Sequence, residues 1–446
     1  MLFNSYEFLL LFLPLSLAVA LPLRGRAVVR AIALLSLLFY ACVGQAWFVL
    51  PMVFTTCVDF ALAPRMARRR GTARTALLWL SLTLNLGLLF WFKYAGLLGL
   101  RGLSATLPAG ISFYTFQTVS YMVDVYRGDA EPETDWWVFA GFVSFFPHLV
   151  AGPLTRHNQL MPQLHALERE GIRADWRGAA FLFASGLAKK VLLGDQLAAQ
   201  VDPLLAASVH PGLAASWLGL LGFSLQIYFD FSGYTDMALG LGRLFGVRLP
   251  RNFDSPYRSP DPRQFWRRWH ITLSSWLRDY LYISLGGNRR GPLRKDLNLV
   301  LTMFLGGLWH GAQWTFAAWG LYHGGLLMVH SRYEARWSRL PLPLRGAATF
   351  GLVSLGWVFF KSPDFGFAAR WFQGLSGGNG LGLGAFPFGW PLFLVALGLG
   401  WVFALPEPLD VVDGDPSPWA WGLLGLAAAF AFAQVARSSQ FIYFQF

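Results

Sequence analysis

Stretches of about 20 apolar residues, the length a helix needs to cross the hydrocarbon layer of a bilayer, recur along the whole chain. They can be drawn at 6–23, 28–63, 75–99, 108–126, 136–154, 177–194, 213–247, 297–330, 345–361, 385–404 and 417–436. In lipid every backbone polar group must find its partner inside the protein, so runs of this kind are read as helices. The expectation is an all-α polytopic integral membrane protein. The segments at 28, 213 and 297 are long enough for a hairpin or a long tilted helix, which gives roughly ten to thirteen membrane helices.

Composition leaves no room for a large soluble domain. Of 446 residues, 55% are hydrophobic and 13% charged, whereas a soluble domain carries roughly 25% charged residues. The net charge of +12 does not point to nucleic acid. Its Lys and Arg residues sit in short clusters between apolar runs, as topology-setting loops do. The clusters at 24–30, 65–74, 156–177, 243–295 and 332–345 are expected on the cytoplasmic side, with the N-terminus outward. Cys42 and Cys57 are the two cysteines, both in apolar runs, so neither a disulfide framework nor a thiolate metal cage is available. Glu7 and the lack of a basic residue ahead of the first run argue for a retained first helix rather than a removed signal peptide. The chain reads as one membrane domain, 1–446, with N-terminal helices in 1–126, a catalytic core in 127–340 and C-terminal helices in 341–446.

The segment 251–290, RNFDSPYRSPDPRQFWRRWHITLSSWLRDYLYISLGGNRR, is the least like a span. Pro256, Pro260 and Pro262 discourage helix at its start, and residues 264–284 then become periodic. Wound as one helix at about 100° per residue, Arg267, His270, Ser274 and Arg278 fall within about 80° of one another. Trp266, Trp269, Leu273, Trp276, Leu277 and Tyr280 take the opposite arc. Two readings stay open. The helix lies at the interface with its tryptophans at headgroup depth and its arginines on lipid phosphate. Alternatively, the stripe lines a polar cavity, where Arg267, Arg268 and Arg278 hold a phosphate-bearing donor beside Ser274 and His270 approaches the reacting group.

His310 stands in the middle of the next apolar run, flanked by Gly306, Gly307 and Gly311. An ionisable group at this depth is costly and faces a cavity or a polar partner, which makes it a functional candidate. His323 follows 13 residues later, about 140° away on one helix. The two share no face unless the helix breaks, so His323 is secondary or structural. Asp230 and Asp236 sit in QIYFDFSGYTDMALGLG and need cationic or hydrogen-bonding partners, for which the Arg267 to Arg278 stripe is a candidate. Structural pairing and catalytic orientation at the substrate or donor site are equally open for them. His148, in FFPHLVAGPL, is a packing or gate element. No short ligand spacing joins His148, His270, His310 and His323, so no metal site is expected, and there is no GxSxG or Walker loop.

At these residues the chain resembles the membrane-bound O-acyltransferase family and its bacterial polysaccharide-modifying branch. The likeness runs nearly end to end: MLFNSYEFLLLFLP, PAGISFYTFQTVSYMVDVYRGD, FFPHLVAGPLTR, YFDFSGYTDMALGLGRLFG, FWRRWHITLSSWLRDYLYISLGGNR, NLVLTMFLGGLWHGAQWTFAAWGLYHG and FIYFQF. The resemblance implies helices around a tunnel, a multi-pass protein of the bacterial inner membrane, and a two-position catalytic centre. The family's invariant histidine maps onto His310 and its second polar position onto His270. It also implies no bound cofactor, with acetyl-CoA or another acyl thioester as cosubstrate. The acceptor would be an exported glycan, alginate-like or other, or a periplasmic acetyltransferase-type partner protein.

In such a reaction a neutral His310 would take the acceptor hydroxyl proton, a role worth on the order of 10² to 10⁴ in rate. His270 would donate a hydrogen bond to the developing oxyanion or the leaving thiolate. Three alternatives carry different expectations. Transfer of D-alanyl from a carrier protein would show on donor swapping. A transporter or a non-catalytic scaffold for a periplasmic acetyltransferase would tolerate loss of His310.

Overall fold

The computed structural model describes residues 1–100, 107–205, 210–382, 389–437 and 441. All regular secondary structure among them is helical. Among the described residues, five helices are long and apolar enough to cross a membrane: Arg26–Val43, Ala46–Arg68, Gly71–Lys93, Leu342–Lys361 and Pro418–Arg437. Glu7–Ala20 and Gly389–Ala404 are apolar but shorter. The Pro418–Arg437 helix carries Trp419 and Leu426, 84% and 73% exposed, apolar side chains that contact with lipid would shield from water.

The long apolar runs resolve in two ways. Run 28–63 breaks at 44–48 into Arg26–Val43 and Val49–Arg68, and run 297–330 breaks at 311–313 into Pro292–His310 and Trp314–Trp337. Run 213–247 stays one helix, Leu213–Leu244. Of the C-terminal FIYFQF motif, only Phe441 lies within the described residues, and the start of the 385–404 run, 385–388, lies outside them.

The chain divides into two compact units, and the boundary between Gly233 and Tyr234 falls inside the Leu213–Leu244 helix. One unit comprises Met1–Gly186, Tyr234–Pro250 and Ser417–Ala436. Its spans are joined by hydrogen bonds that satisfy polar groups which would otherwise face hydrocarbon. Ser81 Oγ donates to Asp59 at 2.6 Å, Asn85 Nδ2 to the other Asp59 oxygen at 2.8 Å, and Thr118 to Asn85 Oδ1 at 3.0 Å. Three successive long helices are thereby tied through one buried carboxylate.

The 128–135 loop of this unit is clamped to the His157–Glu170 helix. Glu133 Oε1 accepts from the backbone N–H groups of Thr134 and Asp135, both at 2.8 Å, while its Oε2 lies 2.9 Å from His165 Nε2. Glu168 faces the other ring nitrogen at 3.5 Å. Burial alone would lower the His165 pKa, but the hydrogen bond and charge of Glu133, reinforced by Glu168, raise it above the usual 6.5. A group whose folded pKa is raised stabilises fully below its unfolded pKa and loses that contribution as pH rises through the folded value. The thermal midpoint is therefore expected to fall as pH climbs from below 6.5 through the raised value, and His165→Ala to flatten that limb. An unchanged limb in His165→Ala would assign the pH dependence elsewhere.

The second unit comprises Leu187–Gly233, Arg251–Pro416 and Arg437–Phe446. Its centre is the Pro292–His310 and Trp314–Trp337 hairpin, whose helices meet through glycines. A methyl on Gly307 would overlap the Phe316 carbonyl oxygen and come within 3.0 Å of Gly320. Only glycine lets the two backbones approach this closely, and the approach fixes where His310 stands at the end of its helix.

The same unit buries two adjacent lysines. Lys190 Nζ lies 2.6 Å from Asp195 and 2.5 Å from Asp230, and Lys189 Nζ lies 3.3 Å from Glu407. Glu407 also accepts from Tyr228 Oη at 2.7 Å and from the Ser255 N–H at 2.8 Å. The pairing corrects the expectation that Asp230 meets the Arg267 to Arg278 stripe: its cation comes from the 177–194 run.

Candidate active site

Asp261 caps the helix Pro262–Arg268, its Oδ1 accepting from the Gln264 N–H at 2.8 Å, and Pro262 starts it without wasting a donor. The helix stops after Arg268. Trp269 is extended (φ −98°, ψ 127°) and His270 is left-handed (φ 44°, ψ 52°) before helix resumes at Ile271–Trp276. The expected single helix over 264–284 is thus corrected. Its ladder is interrupted because the preceding loop takes over the backbone groups on both sides of the break. The Asp254 N–H donates to the Arg268 carbonyl at 3.0 Å, and the Ile271 N–H to the Asn252 carbonyl at 2.9 Å. A pattern reading of residues 264–284 contains no sign of these partners, since both belong to the 251–258 loop.

The break changes what the stripe can be. His270 turns inward and is 1% exposed, whereas Arg267 is exposed. Arg278 is also exposed and forms a bidentate pair with its neighbour Asp279, at 2.6 and 3.1 Å. Ser274 Oγ donates to the Trp269 carbonyl at 3.2 Å. Trp269 is buried among Phe253, Phe265 and Trp357, with ring centres 5.0 to 5.5 Å apart, so it packs inside the protein rather than facing lipid headgroups. Arg267, Ser274 and Arg278 therefore do not form one face with His270. Asp236, buried, falls in the other unit.

The structure does bring together His270 and His310. Their ring centres are 6.4 Å apart although the residues lie on different elements. His310, 5% exposed at the end of Pro292–His310, is bounded by the rings of Trp309, Trp319 and Phe360 at 5.0, 5.2 and 5.3 Å. His270 meets Phe231 edge-on at 4.7 Å and Trp309 at 6.0 Å. Two titratable rings with dry aromatic walls are a setting in which proton transfer and charge stabilisation are strengthened.

His323 comes close to this pair because the apolar run folds back at 311–313. Trp319 stands between, 5.2 Å from His310 and 4.9 Å from His323. Trp266 packs edge-on to His323 at 5.1 Å. Neither His323 nitrogen has a hydrogen-bond partner among the described residues. His148 is buried and held by its neighbours: Gln117 Nε2 lies 3.0 Å from its Nε2 and Thr155 Oγ1 lies 3.2 Å from its Nδ1. Both its nitrogens are committed.

The sequence reading missed Asn252, whose Oδ1 lies 3.1 Å from His270 Nδ1, and the aromatic walls given by Trp319 and Phe360. It also missed Lys189 and Lys190, although two lysines inside an apolar run are a signal of buried partners.

Comparison with known proteins supplies the chemistry. Residues 134–359, which include both histidines, match the model of the membrane-bound O-acyltransferase family. The chain is 40% identical to a probable alginate O-acetylase of Azotobacter vinelandii, over 84% of this chain and 78% of that protein. It is 35% identical to a peptidoglycan O-acetyltransferase of Helicobacter pylori, over 86% and 81%. A teichoic acid D-alanyltransferase of Bacillus subtilis is more distant, 27% identical over 57% and 69%. With the helical fold, the apolar spans and this likeness over most of its length, the chain belongs to the membrane-bound O-acyltransferase family and is a membrane O-acyltransferase.

Proposed function

We propose that this enzyme, seated in a bacterial inner membrane, moves acetyl from an acyl thioester, acetyl-CoA being the expected donor, to hydroxyls of an exported polysaccharide or to a periplasmic partner acetyltransferase. The observation that carries this reading is the buried pair of histidines 6.4 Å apart. The likeness to proteins named for O-acetylation of alginate and of peptidoglycan supports the acetyl group and a glycan acceptor. A thioester is already activated, so the transfer needs two services from the protein. A lone pair must take the hydroxyl proton as the C–O bond forms, and an N–H must face the carbonyl oxygen as charge builds on it. His270 and His310 can divide these tasks.

The test is transfer from labelled acetyl-CoA by the purified protein in lipid to candidate glycans, with D-alanyl carrier protein as the competing donor. Acetylated product with no D-alanyl product supports the proposal. D-alanyl transfer alone overturns the acetyl assignment, and no thioester cleavage from either donor overturns the proposal as a whole.

A further inference from the structure

Asn252 has a side chain that does more than fill space. Its Oδ1 accepts from the Thr272 N–H at 3.3 Å and from Thr272 Oγ1 at 2.8 Å, and lies 3.1 Å from His270 Nδ1. The Thr272 backbone group can only donate, and this identifies the amide atom facing it as the oxygen rather than the nitrogen. Rotating the amide by half a turn would set Nδ2 against that N–H, donor against donor. It would still leave one amide atom unpaired, as Nδ2 is now. An oxygen at Nδ1 requires that Nδ1 carry the ring proton. The neutral ring then has a bare lone pair on Nε2, which is buried and has no hydrogen-bond partner among the described residues.

We propose that Asn252 is a positioning residue that locks His270 in its Nδ1–H form, so that His270 Nε2 accepts the hydroxyl proton and His310 provides the hydrogen bond to the thioester carbonyl. This rests on the acyl-transfer reading above and reverses the division of labour expected from the sequence. A neutral imidazole held this way cannot donate from Nε2, and its lone pair would repel a developing oxyanion. In the step itself the acceptor oxygen bonds to the acyl carbon and its proton goes to His270 Nε2. The C–S bond breaks with its electron pair on sulfur, and the proton then passes from Nε2 to the thiolate, restoring the neutral ring. The left-handed backbone at His270, unusual for a residue other than glycine, belongs to the same device. The Asn252 carbonyl holds the Ile271 N–H while its side chain holds the ring, so one residue fixes both the turn and the tautomer.

The experiment is solid-state ¹⁵N spectroscopy of ring-labelled histidine in the full chain in lipid, with the His270 signal assigned by its loss in His270→Gln. The wild type is expected to show a protonated Nδ1 and a bare Nε2, and this reading requires no activity at all. Asn252→Leu is expected to release the tautomer and to lower kcat by a factor on the order of 10² with KM unchanged, as when general-base alignment is lost. Asn252→Asp, which keeps an acceptor at Nδ1, should recover most of kcat. A wild-type His270 protonated on Nε2 overturns the proposal even if acetyl transfer is robust. The expected tautomer in a protein that transfers no acyl group would instead overturn the functional reading and leave the lock standing. Should Asn252→Leu fail to fold, the wild-type spectrum and the Asn252→Asp kinetics still decide.

Discussion

His310→Ala is expected to lose acyl transfer by a factor on the order of 10² to 10⁴, through kcat and kcat/KM alike, with the protein still folded. The two histidines are the titratable rings of one dry cluster, and removing either deletes the proton acceptor or the carbonyl donor. Neighbours cannot substitute, since Trp309, Trp319 and Phe360 pack against His310 and none of them has a basic nitrogen. Because the rings act on one reacting centre, the double variant His270→Ala/His310→Ala should be hardly worse than either single one. The measurement is single-turnover acetyl transfer at matched thermal midpoints. Undiminished transfer in His310→Ala would remove His310 from the mechanism.

The largest stability effect is expected at Lys190. Replacing it by Ala leaves Asp195 and Asp230, both buried, without the cation that lies 2.6 and 2.5 Å from them. Breaking one side of a buried ion pair costs about 3–5 kcal/mol, because the surviving charge keeps its desolvation penalty. The loss should appear as a large fall in the unfolding midpoint of the detergent-solubilised protein. The triple variant Lys190→Leu/Asp195→Leu/Asp230→Leu should recover much of it, since an apolar replacement of the whole cluster leaves no charge to neutralise. A triple variant as unstable as Lys190→Ala would mean that packing volume, not charge, governs the site.

Much of the fold was legible in the sequence. The apolar runs beginning at 28 and 297 each became two helices, with breaks at 44–48 and 311–313, and the run at 213 became one helix of 32 residues. Hydrophobic length reports how much helix can be buried, and glycine and proline report where it can turn. The site was legible in part. An ionisable ring in an apolar run is costly, and this cost singled out His310. The same reasoning read His270 from its cationic stripe but drew the wrong helix around it. Periodicity sees only residues within one window, and the break at Trp269 and His270 is held by Asn252 and Asp254.

The sequence by itself determined the all-helical class and the membrane setting, because both follow from local composition, and it marked His310 as a candidate from the cost of one buried ionisable group. The tertiary structure alone decided that Lys190 rather than an arginine meets Asp230, that His323 stands beyond Trp319 from His310, and that Asn252 faces His270 Nδ1. These are pairings between distant segments, and their energies depend on distance, orientation and shared exclusion of water, none of which exists until the chain has folded.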